Sequence, residues 1–154
     1  MSYELLRFLH VLGACVLLGT GAGIAFFMLI SHQSRNPALI AHVAGIVVLA
    51  DTVFTATAAV VQPITGYLLA RATGQALLEG WLLAALVLYV VTGAFWLPVV
   101  FIQQRMRDLA RAAAATGQPL PARYDQLFRI WLACGFPAFA AVLTILWLML
   151  TRPW

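Results

Sequence analysis

The sequence predicts an all-α integral membrane protein, a four-helix bundle, and three observations predict it. Hydrophobic residues make up 64% of the 154 and charged residues only 9%, so a water-soluble ball of this size has too little interior to hide its apolar surface. Four apolar stretches each reach the roughly 20 residues that a helix needs to cross a hydrocarbon core about 30 Å thick. The pieces between them hold the turn-forming residues and most of the charge.

The first stretch, about residues 3–31, has no basic leader and stays apolar from Leu5 to Ile30, so it reads as a retained helix and not a cleaved signal. The second is 43–71, after a connection containing Asn36-Pro37, and the third is 81–104, after one containing Thr73-Gly74. Met106 to Ala115 reads as the third helix continuing into water before a turn at Gly117-Gln118-Pro119; the fourth helix then covers 127–150. No linker divides the chain, so 1–154 reads as a single four-helix transmembrane domain. Cys15 and Cys134 lie inside apolar runs, where a thiol behaves as a small hydrophobe.

All nine basic residues are arginine. Arg105, Arg107, Arg111, Arg123 and Arg129 surround the third connection and Arg35 sits in the first, which shares its side; Arg7, Arg71 and Arg152 are left for the other. Cytoplasmic connections carry such an excess, so the expectation is a bacterial inner membrane protein with both termini outward, in the periplasm. Arginines scattered over short connections make no continuous charged face, which excludes nucleic acid as a partner. The expected partners are the lipid bilayer, a redox partner and a second copy of the chain, the last through the GxxxG pair Gly19 and Gly23.

At 100° per residue, His10, Ala14, Leu17, Gly21, Met28 and His32 fall within about 40° of one line along the first helix. In the second helix Asp51, Thr55, Gln62, Thr65 and Leu69 line up similarly, a mostly polar stripe through hydrocarbon that must face protein or water. Asp51 lies about nine residues inside that helix, where a carboxyl group is either a functional group or a structural hydrogen-bonding one. Tyr89, Thr92, Trp96 and Gln103 share a face of the third helix within about 60°. Pro63, Pro98 and Pro137 fall inside helices, where each removes a backbone donor.

Of the three histidines, His10 is intramembrane while His32 and His42 bracket the first connection, where solvation is the expectation. From residue 10 to residue 32 is roughly 33 Å of helix, so one haem cannot be gripped by both. As a metal ligand, His10 would leave the sixth position of a haem iron open, to water, or to Met149. Arg7, Arg71 and Arg152 stand at the same level for propionates. On residue type alone, a hydrogen-bonded packing role for His10 stays open.

The segments Leu9-His10-Val11-Leu12-Gly13-Ala14 and Gly19-Thr20-Gly21-Ala22-Gly23, with Asp51-Thr52-Val53-Phe54-Thr55, Gln62-Pro63-Ile64-Thr65-Gly66 and Trp96-Leu97-Pro98-Val99-Val100, resemble blocks of an uncharacterised bacterial family of predicted integral membrane proteins. More distantly, His10, Gly80-Trp81-Leu82 and Arg123-Tyr124 are similar to the HemJ-type protoporphyrinogen IX oxidases, four-helix haem b proteins. That resemblance implies haem b as cofactor and His10 as its ligand. The chain departs at the lysine those oxidases carry after the tryptophan: Ala84 or Ala85 stands there and the chain has no lysine, so the resemblance does not extend to protoporphyrinogen oxidation.

The expected function is therefore haem b binding with redox activity, electron transfer or an oxidoreductase. His10 is the expected metal ligand, with Arg7, Gly21, Met149, Arg71 and Arg152 around the cofactor and Asp51 and Gln62 in a polar relay. A carboxylic acid in low dielectric is suited to passing protons. Two rivals remain: a small proton or ion transporter using Asp51 and Gln62, and an assembly subunit that docks through Gly19 and Gly23.

Overall fold

The computed structural model describes residues 2–78 and 80–152, and its described elements are helical. Helix α1 spans Tyr3–Gln33, α2 Pro37–Ala50, α3 Ala56–Thr73, α4 Gly80–Thr116 and α5 Ala122–Thr151. Between α2 and α3 the chain does not break but passes through one π-helical turn, Asp51–Thr55. Pro37–Thr73 is thus one rod, and with α1, α4 and α5 it gives four helices long and apolar enough to cross a membrane. The second span starts at Pro37, six residues before the expected 43, because Asn36-Pro37 is a helix start and not part of a long loop. Asn36 Oδ1 accepts from the backbone N–H of Ala38 at 3.0 Å and of Leu39 at 3.3 Å, and proline suits the first helical position. Arg35, with φ 54°, makes the reversal.

The other connections follow their glycines. Gly74 (φ 68°) ends the rod while Gln75 N–H reaches back to Ala70 O at 2.9 Å. Gly117 (φ 65°) ends α4 while Gln118 N–H reaches Ala113 O at 3.0 Å. Both are the left-handed cap that glycine adopts without steric cost. Helix α4 does continue past the apolar run, to Thr116.

Alternate spans run antiparallel, so both termini lie at one end, the terminal end, and the first and third connections at the other, the arginine-rich end. Arg35 joins Asp125 at 2.6 Å there, tying the first connection to the start of α5. The main core lies toward the same end: Ile24 and Met28 of α1, Ile40, Ala44 and Val47 of α2, Met106 and Ala110 of α4, and Tyr124, Phe128 and Trp131 of α5. Alanines at 44 and 110, both fully buried, let backbones approach where lipid gives helices no hydrophobic reason to associate. Toward the terminal end large apolar side chains such as Phe8, Val60, Val90, Trp147 and Leu150 face outward to lipid. In the apolar window of the rod 28% of residues are buried, against 11% in each of the other spans, so the rod is the central element. Its α2 half packs on α4 and α1, whereas its α3 half packs on α1.

Candidate functional site

The polar stripe expected along the rod is buried throughout: Asp51, Thr55, Gln62 and Thr65 all lie inside. It is not one stripe, however. A π turn holds one more residue than an α-helical turn, so residues beyond it sit about 100° back from where an uninterrupted helix places them. Asp51 and Gln62, separated by roughly 16 Å of rod, therefore face different neighbours and form two sites.

The first site lies where α3 crosses α1 toward the terminal end. His10 Nδ1 is 2.9 Å from Thr65 Oγ1. The Thr65 hydroxyl is also 2.9 Å from Val61 O; when it donates there, Nδ1–H of His10 is the donor to Thr65 and Nε2 is the acceptor nitrogen. The ring is half-buried. Two glycines permit the crossing. A Cβ on Gly66 would meet His10 Cε1 at 3.2 Å, and one on Gly13 would meet Gln62 Cδ at 3.2 Å. Each helix thus supplies a polar side chain and a gap for the other's. Gln62 Oε1 is enclosed there with no protein hydrogen-bond partner.

Deeper, at the π turn, Asp51 Oδ1 accepts from Trp96 Nε1 of α4 at 3.2 Å. With the Gln103 amide oriented by its neighbours, its nitrogen donates to Asp51 Oδ2 at 3.2 Å and its oxygen accepts from Trp131 Nε1 of α5 at 3.2 Å. The rod, α4 and α5 are thereby joined through one carboxyl group and one amide. No cation pairs with Asp51 among the described residues, whose ion pairs are Arg35 with Asp125 and Arg107 with Asp108. Thr55 Oγ1, one turn on, is buried without a partner.

The remaining expected site residues are spread more widely. Arg7 is exposed, in a surface groove with Tyr3, Glu4, Phe8 and Val11. Arg71 donates to Tyr67 Oη at 3.2 Å, and the Arg152 guanidinium lies 5.8 Å from the centre of the Trp81 ring. Met149 is half-buried on α5. Among the described residues, no atom outside the local helix lies within 4 Å of a Cβ built on Gly19, Gly21 or Gly23. His32 departs from its expectation in part: it is half-buried and stacks on Phe128, centroids 3.7 Å apart and planes within 4°. Its Nδ1 is enclosed and unpartnered. His42 instead lines a groove with Arg111, so the two connection histidines make no pair. Sequence reasoning missed Gly13 and Gly66 as the crossing points; their signal is a glycine three residues after His10 and another four after Gln62. Trp131 carried no signal, because its role depends on Gln103 of another helix.

The chain matches, over residues 4–153, the model of a family described as predicted integral membrane protein, DUF2269. It belongs to that family, and it is a membrane protein with four transmembrane helices. No curated protein and no solved structure matches it.

Proposed function

We propose that this member of the DUF2269 family binds haem b in a bacterial inner membrane, with His10 as the axial ligand, and works in electron transfer or as an oxidoreductase. The observation that carries the reading is the His10 ring, held by a 2.9 Å hydrogen bond between Nδ1 and Thr65 Oγ1, with Nε2 as the nitrogen a metal would take. Imidazoles that hold metals are fixed in this way by a partner for the other nitrogen, which sets both the tautomer and the ring plane. Gly66 gives the His10 ring room against α3, and Arg7, Arg71 and Arg152, near the same end, are the cations that would meet the propionates. Met149, half-buried on α5, would be the candidate for a second protein ligand. Haem bound there would supply one-electron redox chemistry.

The chain's own part is positional. Thr65 orients the ligand, Gln62 offers a free amide oxygen beside it, and lipid on the surrounding surface excludes water. A pyridine haemochrome assay on detergent-purified protein, expressed with ample iron and porphyrin precursor, tests the proposal. Haem b is expected in the parent protein and absent from His10→Ala. A colourless parent protein ends the redox reading and leaves the membrane bundle.

One observation favours a second reading, a small proton or ion transporter: Asp51 is buried at a π turn with no cation beside it, and such turns recur at functional positions. In liposomes that reading expects a proton or cation flux abolished by Asp51→Asn and indifferent to His10→Ala.

A further inference from the structure

Toward the arginine-rich end, α2 and α4 enclose a groove of about 420 Å³ lined by Ala41, His42, Gly45, Ile46 and Leu49 of α2 and Arg111 of α4. Its wall is hydrocarbon and its polar groups are one guanidinium and one imidazole. Gly45 keeps it open, for the guanidinium lies over that position, with Arg111 Nη2 3.4 Å from where a Cβ would be. Arg111 has no carboxylate partner among the described residues. Asp108, one turn away on α4, is held by Arg107 at 2.9 Å.

The order of groups along the groove matters as much as their identity. The apolar run of α4 stops before Arg105, and Arg111 stands about 9 Å further out along the helix. From His42 to Leu49, α2 descends about 10 Å toward the middle of the bundle. The guanidinium and the imidazole therefore sit toward the outer edge and Ile46 and Leu49 below, the order in which a glycerophospholipid presents its phosphate and its acyl chains.

We propose that this groove binds an anionic glycerophospholipid. Arg111 and His42 hold the phosphate, the guanidinium through the paired N–H geometry that suits phosphate oxygens, and the first acyl carbons lie against Ile46 and Leu49. Basic pockets between membrane helices are suited to such headgroups. The assignment is independent of haem.

Native mass spectrometry of the detergent-purified full chain, titrated with phosphatidylglycerol or phosphatidylcholine, tests it. Phosphatidylglycerol is expected to be retained in preference to phosphatidylcholine. Arg111→Gln should weaken that retention about fivefold, the effect of roughly one interfacial cation, and Gly45→Leu should abolish it by filling the groove with no change of charge. Arg105→Gln, which removes a neighbouring charge outside the groove, should change nothing. The proposal is overturned if the two lipids are retained equally, if the preference survives both groove substitutions, or if Arg105→Gln weakens it as much as Arg111→Gln. Displacement by millimolar inorganic phosphate would assign the groove to a free anion and overturn the lipid assignment.

Discussion

The hydrogen bond from His10 to Thr65 fixes which ring nitrogen is available, and removing its acceptor separates orientation from ligation. Thr65→Val keeps the shape and loses the oxygen, so it should lower haem affinity about 10- to 100-fold while the fold survives, as read from haem retained against a competing apo-haem protein. Unchanged retention would mean that Thr65 does not set the ring. Gly66→Val should be more damaging, because a Cβ there already meets His10 Cε1 at 3.2 Å, whereas a Cβ on Gly21 meets nothing within 4 Å among the described residues. In the deeper site, Gln103→Leu leaves Trp131 Nε1 and one Asp51 oxygen without their partner, an expected loss of about 1–3 kcal/mol measurable as a lower midpoint in detergent unfolding. Much of this was readable in advance: His10, Asp51, Gln62, Thr65 and Gln103 all stand out as polar groups where lipid forbids unpaired ones. Their partners were not, since Trp96 and Trp131 are ordinary membrane-helix residues until another helix is laid beside them.

The π turn decides how those residues are distributed along the rod. Periodicity at a constant 100° puts Asp51 and Gln62 on one line, and nothing in Asp51-Thr52-Val53-Phe54-Thr55 announces the extra residue. A wide turn shifts the register without leaving a glycine or proline as a mark. Removing one lipid-facing residue, Val53, should heal the turn to plain α-helix while keeping α3 in its present rotation relative to α2. The deletion variant is therefore expected to retain the His10–Thr65 contact and melt closer to the parent than Gly66→Val does. A collapse of the folded state on deletion would show that the turn itself, and not merely the register, is required. The helix ends teach the opposite lesson. Gly74 and Gly117 were legible because a left-handed cap favours glycine, while Asn36-Pro37 carried its meaning in plain sight as a start signal and shortened the first connection.

The fold class was legible from composition and from the lengths of the apolar stretches, because the bilayer sets both. What lay beyond the sequence is how unevenly the bundle is packed. Gly19 and Gly23 have open space beside them, so Gly19→Leu and Gly23→Leu should leave the thermal midpoint of the isolated chain unchanged. If copies associate through that surface, the same substitutions shift the particle to smaller size in detergent chromatography, and no shift removes those glycines as a dimer contact. The concentration of the core toward the arginine-rich end also has a mechanical meaning. Four rods bound firmly at one extremity and loosely at the other behave as tongs with a single pivot. Amide deuterium uptake in detergent should then advance from the terminal end of the spans toward Met28 and Met106.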